Sequence, residues 1–286
     1  LSLIKTGKAQ VVIGTHALFQ ENVSFDNLAL VVIDEQHKFG VHQRLALAQK
    51  ANITPHQLVM TATPIPRSLT MTAYADLDSS IIDELPPGRQ KIETVALSNL
   101  RRDELITKIK KISQVGRQIY WVCTLIEESE ALRAESAEKT FTYLSNNLED
   151  EKVVMIHGRL NKSEKETIMQ DFSNGKIDLL VATTVIGVGV SVPNASLMVV
   201  ENAEGLGLAQ LHQLRGRVGR GERQGTCILL FKDGLSKNAI KRIKVLKESD
   251  DGFFIAEEDM KLRGFGDLIG FQQSGIKNFR FADPVV

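Results

Sequence analysis

The stretch Gln210-Leu211-His212-Gln213-Leu214-Arg215-Gly216-Arg217-Val218-Gly219-Arg220-Gly221 decides how the rest of the chain is interpreted. It carries three arginines within six residues, with glycines between them. Arginine offers a planar fork of donors that stays charged at every relevant pH, and glycine lets the backbone turn sharply and approach a ligand closely. Two arginines three residues apart, after a turn of helix, point at one place, which favours a polyphosphate whose charge grows as a bond breaks. The alternative is a solvated basic helix end.

The composition is that of an ordinary globular protein. The chain has 286 residues, enough for about two domains, with 43% hydrophobic and 24% charged residues. Lys+Arg and Asp+Glu both number 35, so contact with nucleic acid must come from local basic patches. The sequence has no 18-residue apolar run and no signal peptide, which predicts a cytoplasmic protein. Cys123 and Cys227 each lie in an apolar run and are expected to be core thiols. The chain starts inside a predicted helix, and we expect it to be a piece of a longer protein.

Short apolar runs alternate with amphipathic helices along the chain, a pattern typical of βαβ units and a parallel sheet. The pattern predicts strands at 11–14, 28–33, 57–60, 92–97, 118–123, 153–156, 179–183, 197–200 and 226–231. It predicts helices at 67–74, 101–113, 129–148, 162–172, 237–247 and 253–262. Right-handed crossovers are expected to place the strand-end loops on one edge of the sheet. Leu85-Pro86-Pro87-Gly88-Arg89 is the clearest break and a natural linker.

Two candidate sites lie at predicted strand ends. Asp34-Glu35 follows a buried strand, where open α/β sheets bind ligands. Two adjacent carboxylates suit a hydrated magnesium ion on a nucleotide, with one left to position water; the alternative is a polar strand end with solvated acids. Thr61-Ala62-Thr63-Pro64 follows another strand, and its hydroxyls are placed to sense the acidic pair. Alone, this segment is only a turn with a proline stop.

The ordered motifs resemble superfamily 2 helicases. Motifs II, III, V and VI of that superfamily are matched in order by Asp34-Glu35-Gln36-His37, Thr61-Ala62-Thr63, Ala182-Thr183-Thr184 and Gln213-x-x-Gly216-Arg217-x-x-Arg220. The flanking segments resemble the RecG family of branch-migration helicases. These segments are Gly14-Thr15-His16-Ala17-Leu18, Phe39-Gly40-Val41, Thr63-Pro64-Ile65-Pro66-Arg67, Leu85-Pro86-Pro87-Gly88-Arg89, Tyr120-Trp121-Val122-Cys123 and His157-Gly158-Arg159-Leu160.

The resemblance implies an α/β fold with RecA-like parallel sheets and flanking helices. It divides the chain into the C-terminal part of a first RecA-like domain (1–88), a complete second one (89–235) and a helical translocation-motif tail (236–286). It implies ATP and Mg²⁺ as cofactors. The implied catalytic residues are Asp34, Glu35, Arg217 and Arg220, of which Asp34 and Glu35 also hold the metal. Nucleotide binding and coupling are implied for Gln36, His37, Thr61, Thr63, Gly189, Ser191 and Gln213. DNA contact is implied for Thr15, His16, Thr183, Thr184, Arg263 and Gln273.

The function that the resemblance implies is the motor portion of an ATP-dependent double-stranded DNA translocase. Such a protein remodels stalled replication forks and branch-migrates Holliday junctions. The implied partners are branched duplex DNA and single-stranded DNA-binding protein, with a monomeric chain and no membrane. Two alternatives stay open: a transcription–repair coupling translocase, which shares the tail motif, and a non-enzymatic DNA-binding remnant of a split gene.

Several positions depart from the family pattern. Gly187 and Ser191 stand where a glutamate and an aspartate are usual, and the further departures are Gly205, Leu206, Phe265 and Gln272. A lost hydrogen bond to a charged group is worth about 1.5–3 kcal/mol, enough to slow turnover. No Gly-x-x-x-x-Gly-Lys-Ser/Thr occurs in the chain, and that loop cradles the nucleotide phosphates. We therefore expect the chain alone neither to bind ATP tightly nor to hydrolyse it.

Overall fold

The computed structural model describes most of the chain in two units. The described residues are 1–35, 47, 50–51, 53–61, 78–82, 84–86, 88–124, 130–183, 192–221 and 223–263, with the backbone alone at 130–134 and 263. The first unit comprises residues 1–64 and the second residues 65–286. Both contain parallel strands, and the fold is of the predicted α/β class. The domain limits at residues 88 and 235 stay predictions.

The first unit contains a parallel pair of strands, β1 (Leu30–Ile33) and β2 (His56–Val59), in which Leu30 pairs with His56. A helical turn, α1 (Ser2–Lys5), and a 3-10 helix (His16–Phe19) precede the strands. One face of β1 packs Val31 and Ile33 against Leu47. The other face of the pair leaves Leu30, Val32 and Leu58 about half exposed. Apolar residues on both faces are typical of strands in a parallel sheet.

The strand predicted at residues 11–14 is wrong. These residues have no regular secondary structure, and Val11 and Ile13 are 80% and 93% exposed. β-branched residues favour strands where a neighbouring strand pairs with them and their side chains pack. Among the described residues of the first unit, no strand other than β1 and β2 is present to do so.

The second unit is built on a six-stranded, fully parallel sheet with the order β3-β8-β7-β4-β6-β5. Its strands are β3 (Glu93–Ser98), β4 (Gln118–Cys123), β5 (Val153–Ile156), β6 (Leu179–Thr183), β7 (Ala195–Glu201) and β8 (Thr226–Phe231). Its helices are α2 (Arg102–Gln114), α3 (Glu130–Asn147), α4 (Lys162–Ser173), α5 (Leu208–Arg215), α6 (Lys237–Glu248) and α7 (Gly252–Arg263), with 3-10 turns at Asn99–Arg101 and Ala203–Gly205.

The core of the second unit lies on both faces of the two central strands, β4 and β7, in which every residue is buried. Alternation along β4 sends Tyr120 and Val122 into the apolar cluster under α4–α7, and Trp121 and Cys123 into the cluster under α2 and α3. Cys123 and Cys227 are buried free thiols, as predicted, and burial raises the pKa of Cys227 to about 12. The sheet is therefore a rigid, doubly covered platform.

Apart from the segment at 11–14, all the predicted strands are present, with ends within two residues of those predicted. The predicted helices from residue 101 onward are present to the same accuracy, and the one predicted at 67–74 lies outside the described residues. None of the described helices combines the length and the apolar composition needed to cross a membrane.

Candidate functional site

The arginine loop, residues 216–221, follows directly from α5. The N–H of Gly216 ends the helix by donating to the His212 carbonyl at 3.0 Å, and the N–H of Gly219 donates to the Ala195 carbonyl at 3.3 Å. Gly219 has φ +66°, and a Cβ there would lie 3.1 Å from the Gly225 Cα, so both backbone conformation and space call for glycine. Because Ala195 begins β7, the loop lies at the amino-terminal edge of the sheet.

Arg217 and Arg220, two of the three arginines between residues 210 and 221, lie in this loop. Their charges both act on the buried phenol of Tyr120. Burial raises the pKa of Tyr120 to about 12, and the positive charges of Arg217 and Arg220 oppose that rise. The Nε of Arg220 donates to the Gly216 carbonyl at 3.0 Å. Burial lowers the pKa of Arg220, and the charges of Arg217 and Arg89 lower it further. Guanidinium groups are therefore concentrated beside Tyr120, as an anion-binding loop requires.

Arg215, the third arginine of the stretch, faces the opposite way and is only 3% exposed. Its Nη1 donates to the carbonyls of Leu246 and Ser249, both at 2.8 Å, and lies 3.2 Å from the Asp250 carboxylate. Its Nη2 lies 2.9 Å from Nδ1 of His212. Arg215 thus ties α5 to the carbonyls at the C-terminus of α6, and its side chain makes structural contacts. Of the three arginines, the loop pair at 217 and 220 is the one left to meet a ligand.

His212 belongs to the Arg215 contact. Burial lowers its pKa to about 4, with a further contribution from the neighbouring Arg215 charge. A neutral imidazole whose Nδ1 accepts from the Arg215 guanidinium, with its proton on Nε2, fits both facts.

The acidic pair Asp34-Glu35 follows β1 at its carboxyl end. Asp34 is exposed, and its Oδ1 accepts a hydrogen bond from the Glu35 N–H at 2.9 Å. Glu35 has φ +53°, a left-handed conformation that a non-glycine residue adopts at a cost of order 1–3 kcal/mol. The backbone thus turns sharply at the strand end and presents two successive carboxylates there.

Thr61 lies at the end of the neighbouring strand. β2 pairs with β1 in parallel, with Val59 opposite Ile33, and the Met60 N–H donates to the Ile33 carbonyl at 2.8 Å. Asp34, which follows β1, and Thr61, which lies two residues after β2, are therefore at the same edge of this pair. The structure brings these two predicted site residues to one place.

The described residues that are predicted to contact DNA belong to both units. Thr15 and His16 are exposed at the start of the 3-10 helix of the first unit. Thr183 ends β6 opposite Cys123 and is half-buried. It lies at the carboxyl edge of the second unit's sheet, across from the arginine loop at the amino edge. The arginine loop lies at the opposite edge from the loops that follow the strands, because α5 runs back across the sheet before the loop begins.

The remaining predicted site residues differ in how much is described. Gln213 is exposed on α5, and the backbone of Arg263 ends α7. The predicted site residues that lie outside the described part are Gln36, His37, Thr63, Thr184, Gly189, Ser191 and Gln273, together with the Arg263 side chain.

A buried ion-pair network at the carboxyl ends of β4 and β7 was not predicted from the sequence. Glu201 accepts from Arg102 Nη1 at 2.7 Å, Trp121 Nε1 at 3.0 Å and Thr140 Oγ1 at 3.1 Å. The Arg102 guanidinium lies between two rings, 5.1 Å from the Trp121 centroid and 4.7 Å from that of Tyr143. The available signal was a glutamate at the end of a strand with no other charged residue, Ala195–Glu201.

The carboxylates of Asp34 and Glu35 fit the metal that accompanies a nucleotide. Mg²⁺ takes oxygen ligands and keeps several waters, so one or two protein carboxylates with substrate phosphates suffice. An all-protein metal cage is a different kind of site, and among the described residues no cluster of three or more His, Cys, Asp or Glu forms one. The exposed Asp34 at a strand end suits the first arrangement.

Three protein-family models match the chain. Residues 1–72 match the DEAD/DEAH box helicase family, residues 102–222 the helicase conserved C-terminal domain, and residues 249–283 the C-terminal part of domain 3 of the ATP-dependent DNA helicase RecG. A solved Saccharomyces cerevisiae Dbp5 in complex with Gle1 shares the fold, with a TM-score of 0.56 and 20% identity over 86% of this chain and 65% of that one. The second unit therefore has the fold of the RecA-like helicase domains.

The similarity that extends over nearly all of this chain is to RecG. The chain is 57% identical to the ATP-dependent DNA helicase RecG of Escherichia coli K12 over 98% of its residues, and it spans about two fifths (41%) of that relative. A solved structure of RecG bound to a three-way DNA junction matches 99% of the chain and 36% of its own length, with 42% identity and a TM-score of 0.75. Over almost all of its residues, the chain is similar to members of the RecG family.

Proposed function

We propose that the chain is the motor portion of an ATP-dependent translocase on double-stranded DNA, which remodels stalled replication forks and branch-migrates Holliday junctions. The observation that carries the proposal is the arginine loop, held in place by Gly219, in a chain 57% identical to RecG. Arg217 and Arg220 form no ion pair with any described carboxylate, so their charge is available to an anion.

The nucleotide side of the proposed mechanism uses two sets of groups, the acidic pair and the loop arginines. Bound ATP with Mg²⁺ supplies the phosphoryl group that is transferred to water. Asp34 and Glu35 would hold the metal and orient the water, the division of roles that adjacent carboxylates allow. Arg217 and Arg220 stabilise the charge that develops on the phosphate oxygens, which is the main contribution a protein makes to this reaction. Thr61, together with Gln36, His37 and Thr63, couples hydrolysis at the acidic pair to movement of the DNA-contacting segments.

The DNA side of the proposed mechanism uses a different edge of the second unit. Thr183 lies at the carboxyl ends of the strands and the arginine loop at their amino ends, so one rigid sheet separates the two groups of residues. A change in phosphate contact at one edge therefore moves the other edge as a body. We infer that forked and Holliday-junction DNA and single-stranded DNA-binding protein are partners, and that a monomer acts in the cytoplasm.

A second candidate is a DNA-binding remnant that does not turn over ATP. Gly187 and Ser191, where the family pattern has carboxylates, favour it. The double change Gly187→Glu with Ser191→Asp, in a chain completed with the missing family segment, should raise ATP turnover if the departures limit the motor. An unchanged rate of ATP turnover would show that Gly187 and Ser191 do not limit the motor.

The proposed function is tested by unwinding of a three-way DNA junction. The 286 residues are joined to the N-terminal part of a RecG relative that contains the phosphate-binding loop, and this product is called the joined chain below. We expect ATP-dependent strand displacement that is abolished by Arg217→Ala and kept by the control Arg223→Ala. Arg223 is an exposed arginine that donates a hydrogen bond to the Val115 carbonyl. Strand displacement that is equally fast without ATP, or in the Arg217→Ala variant, would contradict the proposal.

A further inference from the structure

Arg89 brings a third guanidinium to the arginine loop. It ends the Leu85-Pro86-Pro87-Gly88-Arg89 segment, where its N–H donates to the Pro86 carbonyl at 3.1 Å. Gly88 has φ +81°, a conformation that glycine adopts without steric cost. This turn fixes the backbone of Arg89.

Arg89 and Arg220 donate to one oxygen. Arg89 Nη2 lies 3.1 Å and Arg220 Nε 3.0 Å from the Gly216 carbonyl, which caps the C-terminal end of α5. Carbonyls in the last turn of a helix lack intrahelical partners and carry partial negative charge, so they attract cations. Each of these hydrogen bonds uses one N–H of a guanidinium that has five. Toward the described residues, these are the hydrogen bonds that the two guanidinium groups donate, so further N–H groups can donate to another acceptor.

Among the described residues, no carboxylate forms an ion pair that balances the charges at this place. The ion pairs of Arg101, Arg102 and Arg215, elsewhere in the second unit, are with Glu104, Glu201 and Asp250. No such pair joins Arg89, Arg217 or Arg220 to a carboxylate in the described part of the chain. Like charges held close together repel, and the partial charge of one carbonyl offsets little of that repulsion. An arrangement of this kind is stabilised when an anion binds.

We infer that Arg89 is a third anion-binding arginine, which acts with Arg217 and Arg220 on the polyphosphate of a nucleotide. The inference rests on the proposed function, which supplies the nucleotide. Arg89 and Arg220 are both anchored on the Gly216 oxygen, so binding orders two side chains that are already partly fixed. Planar guanidinium groups suit phosphate oxygens because they donate two parallel hydrogen bonds. DNA also carries phosphates, but as single charges along a strand, whereas three clustered cations match a chain of linked phosphates.

The test is binding of inorganic tripolyphosphate to the 286-residue chain, measured by calorimetry at constant ionic strength. Arg89→Gln keeps an N–H donor for the Gly216 carbonyl and removes the charge, and Arg89→Lys keeps the charge. We expect Arg89→Gln to weaken binding about tenfold, the effect of one charge-assisted hydrogen bond, and Arg89→Lys to recover most of that loss. The control Arg223→Gln, on the exposed arginine that donates to the Val115 carbonyl, should leave binding unchanged. Circular dichroism of each variant confirms the fold.

Duplex DNA binding separates the two sources of phosphate. Arg89→Gln should leave the affinity for a DNA duplex unchanged, and a loss of DNA affinity with normal tripolyphosphate binding would overturn the inference. So would equal tripolyphosphate binding by the unaltered and Arg89→Gln chains, or no binding by the unaltered chain at millimolar concentration. Because no hydrolysis is measured, a joined chain without ATP turnover would count against the proposed function and leave this result standing.

Discussion

At the scale of single residues, the second unit holds its ionisable groups in two different ways. Glu201 is buried and satisfied by Arg102, Trp121 and Thr140. By contrast, the Arg101–Glu104 pair, whose arginine directly precedes Arg102, is more than half exposed. Buried charges are costly unless fully paired, and exposed pairs contribute little. The two pairs therefore have different tasks, and only the buried one fixes the ends of β4 and β7.

Changing Glu201 to Gln should destabilise the protein strongly. The variant keeps the shape of the side chain but leaves the Arg102 guanidinium without a counter-charge, which costs about 3 kcal/mol for a buried pair. The measurement is the free energy of unfolding in urea, and the matched control, Glu104→Gln, should leave the midpoint nearly unchanged. Equal effects of the two substitutions would show that the Glu201 network is not a structural ion pair.

Single residues also show why part of the candidate site could not be predicted. The motif spacing selected Arg217 and Arg220, but Arg215 has the same side chain, and only the structure shows that α6 captures it. Arg89 was read as part of a linker, because its contact with Gly216 joins residues 127 positions apart. Side-chain direction over such separations depends on packing, which local sequence patterns do not record.

At the scale of elements, Arg215 and His212 connect α5 to the C-terminus of α6. The charged groups that act on His212 are Arg215, Asp250, Asp251 and Arg89, and burial is the largest cause of its low pKa. The folded protein therefore holds this imidazole neutral, while the unfolded chain protonates it at the ordinary value. Protonation favours the unfolded state, so the contact is stable above the ordinary pKa and weakens below it.

The free energy of unfolding should accordingly decrease as the pH is lowered from 6.5 to about 4, the ordinary and folded pKa values of His212. The unfolded state binds the extra proton in this window, at about 1.4 kcal/mol per pKa unit. His212→Gln keeps an acceptor for Arg215 and does not titrate, so its urea midpoint should fall less over the same window. Parallel pH profiles for the two proteins would exclude His212 as the source.

Most helices and strands could be predicted because the spacing of apolar residues in the sequence follows which side chains are buried. Strands buried on both faces are continuous apolar runs, as in β4, and the helices show amphipathic spacing. The error at 11–14 has the same origin: Val11 and Ile13 have the composition of a strand, but strand formation depends on a partner. The position of the arginine loop at the amino edge of the sheet was missed because α5 reverses the chain direction.

At the scale of the whole molecule, the chain spans about two fifths of the RecG relatives it matches. It carries arginines suited to a nucleotide but no Gly-x-x-x-x-Gly-Lys-Ser/Thr. Arginines that stabilise a transferring phosphoryl group need that loop to position the phosphates. We propose that these residues form part of a motor that binds the nucleotide phosphates through a loop of this kind, which the 286 residues do not contain.

The most direct test of this claim is the rate of ATP hydrolysis on forked DNA. The 286 residues alone should show no hydrolysis above the buffer rate, and the joined chain should show DNA-stimulated turnover. Arg217→Ala or Arg220→Ala should lower that turnover by on the order of 10³-fold, as for arginines that contact a transferring phosphoryl group. Hydrolysis by the isolated chain, or full turnover by a folded joined chain that lacks either arginine, would contradict the account.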